Sequence, residues 1–83
     1  MKLLYFAWVR EKIGQTEENL PLPEGVSTVG GLISWLRARS PGHAAAFADP
    51  RLIRCAIGQE FAGLDTPLAG AAEVAFFPPV TGG

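Results

Sequence analysis

The hydrophobic positions of this chain predict two strands before its main helix. Residues 2–9 are mostly apolar or aromatic and predict a first strand that ends at a charged turn containing Gly14. Residues 16–22 are more polar and predict a second strand, antiparallel to the first. Because proline cannot donate to a ladder, Pro21 indicates a sheet edge or a strand end.

An amphipathic helix follows these strands. Its apolar positions recur at i, i+3, i+4 and i+7, which is one helical stripe: Val29, Leu32, Ile33 and Leu36. Ser27 or Thr28 provides an N-cap, and the helix is predicted to run to about Arg39. Residues 43–47 predict a short second helix.

Three extended segments complete the pattern. Residues 52–57 predict a third strand, and a short extended piece containing Phe61 lies between Gly58 and Gly63. Residues 73–77 predict the last strand. A helix packed on one face of a mixed sheet is an economical two-layer arrangement for this order. The first and last strands are the most apolar, which favours neighbouring central positions.

These elements predict an α+β fold. We expect a single ubiquitin-like β-grasp domain over residues 1–77, with a ββαββ mixed sheet and one main helix on one face. Residues 78–83 are predicted to form a flexible Gly-Gly tail.

Charge and cysteine content narrow the class of partner. The 83 residues carry a net charge of −1 without a basic block, so we expect no nucleic-acid binding. No apolar run approaches ~18 residues, so we expect no membrane span. Cys55 is the only cysteine, which excludes an intrachain disulfide and suits a cytoplasmic location. We predict that Cys55 is a small buried side chain rather than a catalytic thiol.

Catalytic groups are scarce in the sequence. The lone histidine, His43, is predicted to lie at the surface in a loop or short helix. No Cys/His cluster has metal-ligand spacing, so no metal site is expected. Nothing resembles a Ser/His/Asp set, and no glycine-rich phosphate loop follows a strand. The chemistry is therefore expected at the C-terminal carboxylate.

The tail suits a carboxylate that enters another protein. Glycine has no Cβ, so Gly82 and Gly83 can pass through a narrow channel. Pro78 and Pro79 fix their own φ angles and favour an extended stem. The six residues after Phe77 reach roughly 20 Å when fully extended. The alternative is a frayed terminus without a function.

Three segments carry a resemblance to a known family. They are Tyr5-Phe6-Ala7-x-Val9-Arg10-Glu11, Asp65-x-Pro67-Leu68 and the terminal Glu73-Val74-Ala75-Phe76-Phe77-Pro78-Pro79-Val80-Thr81-Gly82-Gly83. Together they resemble the MoaD family, the small sulfur-carrying subunit of molybdopterin synthase. The Phe-Phe-Pro-Pro-Val-x-Gly-Gly tail is the specific part.

The resemblance implies a chemical route and its partners. An E1-like adenylating enzyme would use ATP and Mg²⁺ to convert Gly83 into an acyl-adenylate, and a sulfur donor would then leave a thiocarboxylate. The chain itself would bind no cofactor and would not be an enzyme alone. The large catalytic subunit, expected in a heterotetramer, would pass the sulfur to a pyranopterin precursor. The segment threaded into that subunit would be Pro78, Pro79, Val80, Thr81 and Gly82.

Docking needs a surface as well as a tail. Phe6 and Phe77 are predicted to share a face of adjacent first and last strands, with Phe61 beside them. Arg10 is predicted to lie at the polar rim of this patch, where charge tunes recognition more than affinity. The alternative is that the three phenylalanines are core residues.

Three other functions remain open at this point. The chain can be a sulfur carrier for thiazole or amino-acid synthesis, which has the same activation but another acceptor. It can be a ubiquitin-like modifier that is joined to lysines through Gly83. It can also be a binding module in which the terminal glycines have no role.

Overall fold

A computed structural model describes residues 1–79. Within that range the strands are β1 (Lys2–Tyr5), β2 (Glu17–Asn19), β3 (Arg54–Ile57), β4 (Glu60–Ala62) and β5 (Glu73–Phe77). The helices are α1 (Ala7–Ile13), α2 (Val29–Arg37) and α3 (Pro41–Ala46), and a 3₁₀ turn covers Pro50–Leu52.

The five strands form one mixed sheet in the order β2-β1-β5-β3-β4. β1 and β5 are parallel neighbours, with Tyr5 opposite Phe76, and the other three pairings are antiparallel. The first and last strands thus lie side by side, and β5 is the middle strand of the sheet. The predicted α+β class and β-grasp arrangement are confirmed.

The two faces of the sheet differ because side chains alternate along each strand. Leu3 and Tyr5 of β1 and Val74 and Phe76 of β5 are buried on the inner face. All four residues of the predicted α2 stripe are buried there as well: Val29, Leu32, Ile33 and Leu36. The hydroxyl of Thr28 caps α2 by accepting from the Gly31 N–H at 3.2 Å.

The prediction of a first strand over 2–9 is wrong after Tyr5. Residues 7–13 form α1, which ends at Gly14 in the left-handed conformation, with φ of 86°. Val9 is buried, and Ile13, four positions later, packs against the same core. That spacing places both side chains on one helical face, so burial favours a helix here over a longer strand.

Other boundaries also differ. β2 stops at Asn19, before Pro21, and it lies at the sheet edge. α2 ends at Arg37 rather than Arg39. The predicted third strand begins later, at Arg54, because the 3₁₀ turn occupies residues 50–52. Within residues 1–79, no helix is long and apolar enough to cross a membrane.

Candidate docking face and tail

Two of the predicted docking phenylalanines lie together on the outer face of the sheet. In the registers of β3, Phe77 is opposite Arg54 and Phe61 is opposite Ala56. The ring centroids of Phe61 and Phe77 are 6.0 Å apart, at an interplanar angle of 52°. Phe61 is 80% exposed although it belongs to a strand. Exposure of this size on a large aromatic side chain is typical of an interaction surface.

Phe6 lies just beyond the end of β1. Its backbone is extended, with φ of −126° and ψ of 153°, and its N–H donates to the Phe76 carbonyl at 3.1 Å. It therefore continues the β1–β5 register by one position and falls on the outer face beside Phe77. Phe6 is 46% exposed. We call the apolar residues of this side the phenylalanine face: Leu4, Phe6, Ala56, Phe61, Ala75 and Phe77.

Arg10 is placed where a rim residue is expected. It is exposed in α1, and its backbone N–H lies 3.4 Å from the Phe6 carbonyl. Arg10 is thus one helical turn from the phenylalanine face. Its contact with a partner stays a prediction.

The tail follows a strand that is hydrogen-bonded on both sides. β5 is hydrogen-bonded to β1 on one side and to β3 on the other, and Pro78 and Pro79 follow it directly. The remaining predicted tail residues, Val80, Thr81, Gly82 and Gly83, lie outside the described residues. The carboxylate that carries the predicted chemistry is therefore attached to the middle strand of the sheet.

A buried polar cluster was missed by sequence reasoning. His43 is 3% exposed, so its predicted surface location is wrong. Its Nε2 lies 2.6 Å from Oε1 of Glu18, and its Nδ1 lies 2.7 Å from Oγ of Ser40. Arg39 donates from Nε to Glu18 Oε2 at 3.1 Å, and Gln15 donates from Nε2 to Oε1 at 3.1 Å. The buried carboxylate is thus paired and hydrogen-bonded, as burial requires.

This cluster brings Ser, His and Glu side chains into one chain of hydrogen bonds, but it serves the fold. The Ser40 hydroxyl accepts from the His43 N–H at 3.1 Å and so caps α3. The imidazole is closed off from solvent, so a substrate has no access to it. The cluster joins β2 to α3. No local pattern could reveal it, because 25 residues separate Glu18 from His43.

Two further titratable groups lie on the inner side of the sheet. Cys55 is 4% exposed, which confirms the small buried side chain, and burial raises the pKa of its thiol to about 11. Burial, together with the charge of Glu18, also raises the pKa of Tyr5, whose buried hydroxyl has no hydrogen-bond partner among the described residues. In residues 1–79, no group of three or more His, Cys, Asp or Glu side chains is arranged to hold a metal ion.

This chain is similar in sequence and fold to known proteins over nearly its whole length. Residues 3–83 match the ThiS family. A protein of Escherichia coli K12 named molybdopterin synthase sulfur carrier subunit is 42% identical, over 100% of this chain and 99% of its own. A Haemophilus influenzae protein of the same name is 32% identical, with the same coverage. The crystal structure of SAMP1 from Haloferax volcanii superimposes with a TM-score of 0.68 and 27% identity, covering 100% of this chain and 98% of that one.

Proposed function

Because this chain belongs to the ThiS family, we propose that it is the small sulfur-carrier subunit of a molybdopterin synthase. The observation that carries the proposal is the full-length relative, 42% identical, whose name is molybdopterin synthase sulfur carrier subunit. The phenylalanine face and the Pro-Pro-Val-Thr-Gly-Gly tail support it, because a carrier needs both a docking surface and a reactive end.

The proposed working group is the carboxylate of Gly83. A carboxylate is a poor electrophile, since its charge repels nucleophiles and it has no leaving group. An adenylating partner would join it to the α-phosphate of ATP with Mg²⁺, releasing pyrophosphate. A sulfur donor would then attack the acyl carbon, the bond to AMP would break, and a thiocarboxylate would remain. The chain positions the reactive atom, as tethered group carriers do, and the partners supply the acid and base groups.

The proposed second partner is the large synthase subunit. The phenylalanine face would dock against it while residues 78–83 enter its active site, where the sulfur passes to the pyranopterin precursor. Phe61 and Phe77 are the expected anchors, because they are adjacent and Phe61 is almost fully exposed.

Intact mass spectrometry tests this function. The full chain is incubated with the adenylating enzyme of the same genome, ATP, Mg²⁺ and a sulfur source. We expect a product that is heavier by the difference between one sulfur and one oxygen atom. A variant with one alanine added after Gly83 is the matched control, and it should keep the circular dichroism spectrum of the parent chain without gaining this mass. Absence of the heavier form, or its formation by the extended variant, would overturn the proposal.

A second candidate is a protein modifier conjugated through Gly83. The likeness to SAMP1 favours it, because a solved Haloferax volcanii chain of that type is described as a small archaeal modifier protein. It predicts higher-mass covalent adducts in cell lysates that disappear when Gly83 is deleted. A carrier for thiazole synthesis is separated from the main proposal by complementation of a strain that lacks the molybdopterin carrier.

A further inference from the structure

A second apolar surface lies beside the tail, apart from the phenylalanine face. It is an open groove of about 380 Å³ between α1, the end of α3, the 3₁₀ turn and Pro79. Trp8 and Leu52 supply its large apolar side chains, and Leu52 is 51% exposed. Grooves of this size are able to hold a side chain or a small ligand, since such sites begin at roughly 300 Å³.

The groove has defined charged edges. Lys12 lies one helical turn after Trp8, and Asp49 precedes the 3₁₀ turn. The Asp49 carboxylate is held in place, because it accepts from the Arg51 backbone N–H and side chain at 3.0 Å. Arg51 thus neutralises Asp49, and Lys12 is the other charged residue of the lining, which is otherwise apolar. An apolar side chain with polar neighbours fits such a lining.

The position of Pro79 decides what covers the groove. Pro79 lines it, and Gly83 is only four residues further along the chain. Four residues span at most about 14 Å when fully extended. A protein that encloses Gly83 is therefore held within about 14 Å of Pro79, next to the Trp8–Leu52 groove.

We propose that the Trp8–Leu52 groove receives an apolar anchor side chain from the large synthase subunit that encloses the tail. This rests on the proposed function and adds to it a second contact. The partner would hold the carrier at the phenylalanine face and at this groove, so that the stem is fixed from two surfaces. Buried apolar anchors of this kind contribute much of the affinity of protein interfaces.

The test compares two serine variants of the full chain. Leu52→Ser removes a groove side chain, and Leu22→Ser is the matched control, because Leu22 is also exposed but follows the edge strand β2. The affinity for the purified large subunit is measured by calorimetry. We expect Leu52→Ser to bind at least ~10-fold more weakly than the parent, which corresponds to about 1.4 kcal/mol, and Leu22→Ser to bind like the parent.

A second variant covers the case in which Leu52→Ser does not fold. Leu52→Phe keeps the surface apolar but occupies the groove, and it is also expected to weaken binding. Equal affinity of the folded variants and the parent would overturn the groove proposal and leave the proposed function standing. So would a defect confined to loading by the adenylating enzyme, or to self-association measured by sedimentation, because either would identify another occupant. A parent chain that neither binds the large subunit nor gains sulfur would overturn both.

Discussion

Nε2 of His43 lies 2.6 Å from Oε1 of Glu18 and joins the edge strand β2 to the short helix α3. Both side chains are buried, and β2 pairs with β1 alone in the sheet. A three-residue edge strand has few ladder hydrogen bonds, and this polar contact attaches β2 to α3 in addition to them. The pair therefore links two elements that have no backbone pairing with each other.

Replacing the imidazole should destabilise the fold. Among residues 1–79, His43→Ala leaves the buried Glu18 with Arg39 and Gln15 as side-chain partners, and we expect a loss of roughly 2–4 kcal/mol in the free energy of unfolding. Urea denaturation followed by circular dichroism measures it. The double variant Glu18→Leu/His43→Leu should recover part of this loss, because it leaves no unpaired buried charge. If the free energy of unfolding of His43→Ala is within about 0.5 kcal/mol of that of the parent, the pair does not stabilise the contact between β2 and α3.

Gly42 should tolerate no side chain. A Cβ at this position would lie 2.5 Å from the Lys12 carbonyl oxygen, where α3 approaches the end of α1. We expect Gly42→Ala to cost about 1–3 kcal/mol, because the backbones must move apart. Gly63→Ala is the matched control, since a Cβ there meets nothing within 4 Å. Thermal denaturation of both variants measures the difference, and equal melting temperatures would contradict the close approach.

Cys55 should make the fold sensitive to alkaline pH. Burial raises the pKa of its thiol from 9.0 to about 11, so the folded protein holds this proton more tightly than the unfolded chain. The resulting stability is complete below the unfolded pKa and is lost as the pH rises through the folded one, at up to about 1.4 kcal/mol per pH unit.

The matched control for this effect is Cys55→Ala, which lacks the titrating group. We expect the stability difference between the parent and this variant to be constant below pH 9 and to shrink between pH 9 and 11, by urea denaturation. Rapid alkylation of the native thiol at pH 8 would show instead that Cys55 is accessible.

Phe61 should affect binding and not stability. Its side chain is 80% exposed, so Phe61→Ser should change the free energy of unfolding by less than about 0.5 kcal/mol. If the phenylalanine face docks as proposed, the same variant should bind the large synthase subunit at least ~10-fold more weakly. Leu22→Ser serves again as the control for loss of an exposed apolar side chain. An unchanged affinity would exclude Phe61 from the interface.

Periodic segments of the sequence predicted their structure well. The apolar stripe of α2 and the apolar character of residues 73–77 each match one regular element, and both are found as expected. The pairing of the first and last strands also followed from their apolar character. The adjacency of Phe61 and Phe77 was predictable because both belong to strands whose faces alternate.

The rest depended on contacts between distant parts of the chain. The first residues of α1 continue the apolar run of β1, and the local signals for a helix were the spacing of Val9 and Ile13 and the glycine at position 14. Its position against α3 depends on the close approach at Gly42. Nothing in the local sequence distinguishes His43 or Glu18 from an ordinary surface polar residue, and the two meet only in the folded chain. The Trp8–Leu52 groove is lined by residues from three separate segments of the chain, so no single stretch of sequence could indicate it.

The location of β5 in the middle of the sheet also has a mechanical consequence. A partner that grips the last residues and pulls would load β5 along its own axis. Because β5 is bonded on both flanks, such a load shears two rows of hydrogen bonds at the same time, rather than opening one row bond by bond. If the tail enters narrow channels as proposed, this arrangement would protect the sheet from unfolding each time the chain is withdrawn by its end.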